Sequence, residues 1–157
     1  LESFQSGLSW RTILNKREGF RAAFDSFDFH MVARYDASDI ERLLGDPNIV
    51  RHRGKIAAVI NNAACAVDMV RAEGSLAAFF WGFEPDEQAV PQTQSTSQSS
   101  IALAKELKKR GWKFLGPTTV FAFMQAMGLI NDHSEECVTR AEVDAARRKF
   151  QRPTNIV

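Results

Sequence analysis

The segment Lys109-Arg110-Gly111-Trp112-Lys113-Phe114-Leu115-Gly116-Pro117-Thr118-Thr119 decides the reading of this 157-residue chain. A helical pattern runs up to Arg110, Gly111 stands where a helix end favours a left-handed residue, and Pro117 suits the first position of a new helix. Only a very short apolar hairpin, closed by Gly116, is left between them, so the chain turns sharply. The first amides of the new helix have no intrahelical partner and the dipole is positive there, an arrangement that binds phosphate. With Lys109, Arg110 and Lys113 alongside, the segment reads as a helix-hairpin-helix element that grips one DNA strand without reading its sequence. An ordinary corner between two helices fits the same residues equally well.

Outward from this segment the periodicity is helical almost throughout, and no two alternating runs meet at a tight turn, so the expected class is all-α, a compact helical bundle. Ser38, with Glu41 three residues on, predicts a capping box for a short helix ending near Leu44, where Gly45, Asp46 and Pro47 stop it. From about Arg53 to Glu73, the residues Ile56, Val59, Ile60, Ala63, Val67 and Val70 share one stripe that should bury, with Lys55, Asp68 and Arg71 off it. Gly74 ends that helix, Leu76 to Phe83 is expected to pack as a short helix or turn, and Gln88 to Ser100 reads as an exposed polar loop. Ser100 is the expected cap of a helix running to Arg110. A further helix spans Pro117 to Met127 and stops at Gly128, and Thr139 with Glu142 predicts a second capping box opening the last helix.

With 45% hydrophobic and 25% charged residues, the chain is expected to form one soluble domain, residues 1–157, around a single core. No apolar run reaches the roughly 18 residues of a membrane span and no secretory signal opens the chain, which points to a cytoplasmic protein. The two cysteines, Cys65 and Cys137, make no disulfide framework. A net charge of +1 does not mark a nucleic-acid binder, and the signal lies in local clusters: Arg51, His52, Arg53 and Lys55; Lys105, Lys108, Lys109, Arg110 and Lys113; Arg147, Arg148, Lys149 and Arg152. Each cluster alone reads as a solvated helix face. The run from Glu2 through Phe4 to Leu8 looks like the middle of a helix with neither cap nor Met ahead of it, so a segment upstream of Leu1 is expected to be missing.

Four stretches carry a stronger signal: Leu1-Glu2-Ser3-Phe4-Gln5-Ser6-Gly7-Leu8-Ser9-Trp10, Arg51-His52-Arg53-Gly54-Lys55-Ile56, Lys108 to Gly116, and Phe123 to His133. Together, and in this order, they resemble the DNA-3-methyladenine glycosylase I family. The combination of LExxQxGLSW with RHRGK and GLxNDHxxxC is highly specific and spans Leu1 to about Cys137, and the tail beyond adds nothing to it. The resemblance implies a monomeric, DNA-associated repair enzyme of bacterial type that flips 3-methyladenine out of double-stranded DNA and hydrolyses its glycosidic bond. Adenine alkylated at N3 is a cationic base on a weakened bond, so extrusion and recognition matter more than strong chemical assistance. A tryptophan face attracts such a ring by roughly 0.5 to 2 kcal/mol, and a carboxylate accepts a hydrogen bond from its exocyclic amine. By resemblance, Glu2 is the base-reading carboxylate and Trp10 an aromatic wall. Leu8, after Gly7, is the candidate wedge for the gap the base leaves. Lys113, Gly116, Thr118 and Thr119 are the expected phosphate contacts. Without the resemblance, Glu2 reads as a surface glutamate, Trp10 and Leu8 as core residues.

Relatives that also cut the backbone carry a lysine just after the hairpin glycine, where this chain has Pro117, Thr118 and Thr119, so a Schiff-base lyase is not expected. Asp132 falls short of the offset at which many relatives place an aspartate and reads as structural. Glu135 and Glu136 lie nearer that offset, in a stretch expected to be helical and exposed. His133 and Cys137 are four apart, which on one helical face lets them share a zinc ion. The resemblance implies a structural zinc whose other two ligands lie upstream of Leu1. Cys65 reads as a small buried hydrophobe. Two other functions compete with the enzyme: a non-catalytic helix-hairpin-helix DNA-binding module, which has no need of a carboxylate beside Trp10, and a helical interaction domain using the aromatic patch from Phe79 to Phe83.

Overall fold

Every regular element among the described residues, 1–86 and 90–154 of the computed structural model, is helical. The order is α1 (Glu2–Gln5), α2 (Trp10–Asn15), α3 (Arg17–Ala23), a 3-10 turn at Asp25–Phe27, α4 (Phe29–Val32), α5 (Ala37–Gly45), α6 (Arg53–Glu73), α7 (Leu76–Trp81), α8 (Gln98–Lys109), α9 (Pro117–Ala126) and α10 (Val138–Lys149). Contacts gather these into two units, one of Leu1–Ala72 with Leu107–Leu115, the other of Glu73–Glu106 with the chain from Gly116 onward. Among the described residues no helix is long and apolar enough to cross a membrane.

In the first unit, helices of four to nine residues share a core with the start of α6. Pieces that short are unstable alone and persist through packing. Phe4, Ile13, Phe20, Phe24, Leu43, Ile49 and Ile56 are sealed from solvent. The rings of Phe4 and Phe20 stand 4.5 Å apart and those of Phe20 and Phe24 6.3 Å apart, each pair adding about 0.5–1.5 kcal/mol beyond its buried area. Gly19 is required by space: a Cβ there would lie 2.4 Å from the Asn48 carbonyl oxygen.

The second unit buries Ala78, Phe79, Leu103, Val120, Phe121, Met124 and Leu129. Phe80 packs on Phe123 at 5.0 Å and Phe79 on Phe83 at 5.4 Å, so the aromatic stretch faces inward and is not the patch an interaction domain would present. The tail returns to α7. Phe150 lies 4.7 Å from Trp81, the Arg152 guanidinium sits 5.2 Å over the same indole, and Glu84 accepts from Arg147 (2.6 Å) and Arg152 (2.7 and 2.8 Å). The hydrogen bond from Arg152, with the charge of Arg147 beside it, holds the Glu84 carboxyl below the usual carboxylate range.

Several helix starts differ from the sequence expectation, two of them because an earlier residue supplies the acceptor for the first amides. Asp36, not Ser38, caps α5; its carboxylate accepts from Ser38 N (2.7 Å) and Asp39 N (3.3 Å), and the Ser38 hydroxyl donates to it as well. Ser97, not Ser100, starts α8 through a reciprocal pair in which Ser100 N donates to Ser97 Oγ (3.1 Å) and Ser97 N to Ser100 Oγ (2.8 Å). The last helix opens at Val138 after a turn closed by Cys137 N on Ser134 O at 3.0 Å, which leaves Thr139 inside it. Residues 90–97 of the expected polar loop carry no regular structure, while Gln88 and Ala89 lie outside the described residues.

The buried face of α6 is also rotated from the predicted stripe. Lys55, Ile56, Ala58, Asn62, Ala63, Ala66 and Met69 are buried, whereas Val59, Ile60, Val67 and Val70 are only partly so. Two of the buried residues are polar, and both are taken up by hydrogen bonds to distant backbone.

Candidate active site

The first sequence block folds into a short helix, a tight turn and a capped second helix, not the continuous helix its pattern suggested. Glu2 lies in the first turn of α1, partly buried, and among the described residues its carboxylate accepts no hydrogen bond. Burial pushes its pKa above the ordinary glutamate value. Ser6 (φ −48°, ψ 117°) and Gly7 (φ +77°) then form a type II turn, which demands a residue tolerant of positive φ at its second corner. Leu8 N donates to Gln5 O at 2.8 Å, and the Gln5 side-chain amide donates back to Leu8 O at 3.0 Å. Ser9 caps α2 by accepting from Thr12 N at 3.2 Å. The result is a rigid loop that leaves Leu8 37% and Trp10 39% exposed, so neither is the core residue that the bland reading makes of it.

The hairpin is also fastened to α6, seven residues further along it than Lys55. Gly111 (φ +86°) ends α8 with Trp112 N on Leu107 O (3.0 Å) and Gly111 N on Lys108 O (3.1 Å), the paired bonds of a Schellman motif. Asn62, 9% exposed, receives Lys113 N on its Oδ1 at 2.8 Å and donates Nδ2 to Lys113 O at 2.9 Å, pairing both backbone groups as a strand partner would. Asn61 donates to Gly111 O at 2.9 Å. The Lys113 side chain is left exposed, and Phe114 is held in the left-handed region at φ +57°.

In the second unit, α9 starts at Gly116 (φ −86°, ψ 168°), which has no side chain to cap it, with Pro117 in its first turn. A Cβ at Gly116 would meet nothing within 4 Å, and Thr118 is exposed beside it, so the backbone is open to an approaching anion.

His133 and Cys137 come together, though not on a helix as expected: residues 131–137 form an irregular turn ahead of α10, and Glu135 and Glu136 lie in that turn, exposed. The Cys137 Sγ to His133 Nδ1 distance is 3.6 Å. A tetrahedral zinc with Zn–S about 2.3 Å and Zn–N about 2.0–2.1 Å holds its ligand atoms roughly 3.5 Å apart, so the pair fits two corners of such a site. No third His, Cys, Asp or Glu joins them among the described residues. Asn131 braces the turn by donating to Asp144 (2.7 Å) and to Arg140 O (3.1 Å). Asp132 accepts from Gln92 N (2.8 Å) and Gln125 (2.7 Å), which ties three segments together and agrees with a structural role. A cleft of about 490 Å³ opens beside His133, lined by Gln125, Met127, Ile130 and Val143 among others; neither Glu2 nor Trp10 lines it.

Glu2, Leu8, Trp10 and Lys113 are at least partly open to solvent, and Cys137 lies beside His133. Lys55, expected off the buried stripe, is buried, and Asn61 and Asn62 were not singled out in the sequence. The available signal was two adjacent asparagines inside a long helix, a residue with poor helix propensity that favours bonding to backbone.

An all-helical fold carrying an exposed leucine turn next to a half-buried carboxylate is compatible with a helical base-excision enzyme. The sequence pattern of the methyladenine glycosylase family matches residues 1–141, and the chain belongs to that family. It is 46% identical over 143 residues to DNA-3-methyladenine glycosylase 1 of Escherichia coli K12, covering 87% of this chain and 76% of that protein. It is 41% identical over 143 residues to DNA-3-methyladenine glycosylase of Haemophilus influenzae Rd, covering 87% and 77%. Among solved structures, 3-methyladenine DNA glycosylase I from Staphylococcus aureus, determined to explain its recognition of 3-methyladenine, superposes with a TM-score of 0.83 at 38% identity, covering 88% of this chain and 77% of that one.

Proposed function

We propose that this protein releases 3-methyladenine from alkylated double-stranded DNA by hydrolysis of the N-glycosidic bond, without cutting the backbone. The observation that carries the reading is Glu2: a carboxylate partly removed from water, accepting no hydrogen bond within the described protein, and held six residues ahead of the exposed Leu8. A desolvated anion without a partner costs free energy unless a cation or donor arrives. An adenine methylated at N3 brings both, a delocalised positive charge and an exocyclic amine.

Extrusion comes first. Leu8, projected by the Gly7 turn, fills the space that the base vacates, while Lys113 and the opening turn of α9 each hold phosphates and leave sequence unread. Trp10 offers its face to the cationic ring. Water then attacks C1′, the bond from C1′ to N9 breaks with its electron pair passing to the base, and the attacking water gives its proton to solvent. The ring loses its positive charge as it leaves, so the chemical barrier is low from the start and Glu2 acts chiefly by selecting and orienting the base. Pro117, Thr118 and Thr119 offer no amine to form a Schiff base. His133 and Cys137 hold a structural zinc in this reading, with the remaining corners filled by water or by residues beyond those described; the ion would brace the turn ahead of α10 and takes no part in the reaction.

Single-turnover excision by Glu2→Gln tests the proposal. The amide keeps an acceptor and loses the charge, so excision of 3-methyladenine should fall by about 1.5–3 kcal/mol, roughly ten- to a hundredfold, with affinity for undamaged DNA unchanged. A wild-type rate, with free base bound as tightly as before, would remove Glu2 from the site, and no release of base by the unaltered protein would leave only a DNA-binding module.

A further inference from the structure

The block RHRGK at 51–55 has no part in the chemistry above. Arg53 pairs with Glu41 on the surface at 2.7 Å, and His52 Nδ1 accepts the Lys55 amide at 3.1 Å where α6 begins. Gly54 allows this packing, since a Cβ there would stand 3.1 Å from the His52 ring. Lys55 itself runs inward and is only 7% exposed. Its Nζ donates to Phe4 O at 2.9 Å and to Ser6 O at 2.5 Å, across 51 and 49 residues of sequence. No carboxylate pairs with it among the described residues, and burial holds its pKa below the usual lysine value.

A buried ammonium without a counter-ion is costly, and charge-assisted bonds to carbonyls offset that cost. The identity of the carbonyls matters more. They lie at the end of α1, a four-residue helix that cannot satisfy its own last carbonyls, and they fall between Glu2 on one side and Gly7 with Leu8 on the other. The Phe4 ring anchors the segment in the core at 1% exposure. Lys55 supplies the second point of attachment, which stops the segment from rotating about that ring. One cation therefore sets both where the Glu2 carboxylate stands and how the turn presents Leu8.

We infer that Lys55 is a positioning residue for base recognition, holding the stretch from Glu2 to Leu8 in register for an extruded base. The inference rests on Glu2 being the base-reading carboxylate. The hairpin, fastened by Asn61 and Asn62, does not depend on Lys55, so the two halves of DNA recognition separate experimentally.

Lys55→Met, Lys55→Gln and Lys55→Arg, compared with Glu2→Gln in the full-length protein, supply the test. The readouts are single-turnover release of 3-methyladenine, affinity for undamaged duplex, and melting temperature. Because misplacing a reacting group by about 1 Å costs on the order of a hundredfold, Lys55→Met should slow release roughly ten- to a hundredfold while duplex affinity stays within about twofold. Lys55→Arg, which restores charged donors, should recover most of the rate. Lys55→Met added to Glu2→Gln should cost much less than it does alone, since the group being positioned is already impaired. Wild-type release by Lys55→Met overturns the inference. So does an equal loss of release and duplex affinity, or no recovery in Lys55→Arg. Should Lys55→Met fail to fold, Lys55→Gln keeps a donor without the charge and carries the same comparison: a severalfold loss of release alone supports the inference, and an equal loss of both overturns it. Impaired Glu2→Gln with wild-type Lys55→Met removes the Lys55 inference alone. Wild-type Glu2→Gln removes the Glu2 assignment, and the inference with it.

Discussion

The turn at Gln5–Leu8 and the hairpin at Gly111–Leu115 are both fastened to α6, by opposite kinds of chemistry. Asn62 meets Lys113 with a neutral amide that matches one donor and one acceptor at 2.8 and 2.9 Å. Lys55 meets Phe4 and Ser6 with a cation that matches two acceptors and brings a charge into the interior. In the function proposed above, the hairpin has only to present charges to a uniform phosphate backbone, and a neutral clip suffices. The turn would have to hold a carboxylate and a wedge in fixed geometry, and there the stronger, costlier bond is used.

The difference is sharpest at Glu2. Its pKa is raised by burial, so base affinity should decline as pH falls through that raised value and begin to do so above the usual glutamate titration near 4.5. The same shift has the opposite sign for folding: the native state holds the proton more tightly than the unfolded chain, so stability drops as pH rises through that window. Glu2→Gln should accordingly melt at or above the wild-type temperature at neutral pH while losing activity, and a melting temperature well below wild type would contradict the desolvated site. Asn62→Leu is expected to come next in size. It strands both backbone groups of Lys113, at about 1–3 kcal/mol for each group left unpaired, and should lower the melting temperature and weaken binding to every duplex alike. Preferential loss on alkylated DNA would show that turn and hairpin are not separable. Lys113→Ala should leave stability intact and reduce the slope of log affinity against log salt by about 1, equally for normal and abasic duplexes. Smallest is Glu84→Gln, outside both regions. The Glu84 pKa is depressed, so its contribution is complete above the ordinary glutamate range and is lost as pH falls below it. The variant should free the tail to proteases and shave the melting temperature at neutral pH, a gap that closes in acid, with excision unaltered.

Most of the fold was legible because apolar period and punctuation agree locally: Gly111 and Gly128 both end helices at positive φ, and Pro117 opens one. Gly7 was read as part of a helix because LExxQxGL has helical spacing, and only its positive φ reveals the turn. Cap positions slipped where a serine stood near a better or earlier acceptor, as at Ser38 beside Asp36. Lys55 stood out only as part of the RHRGK block and was expected off the buried stripe, and Asn62 did not stand out at all. Their partners lie about fifty residues away, and a polar side chain on a helix is ordinarily solvated, so nothing local distinguishes a buried anchor from a surface charge.

The spacing of those two anchors makes α6 a ruler. Lys55 and Asn62 are seven residues apart, two turns that return to the same face within about 20° and separate them by roughly 10.5 Å along the axis. One inserted residue between them would swing one anchor by about 100° relative to the other, and four would nearly restore the phase while stretching the gauge by about 6 Å. Substitutions along this interval are then a matter of packing, but a change in its length miscalibrates the distance between the turn that carries Glu2 and the hairpin that carries Lys113.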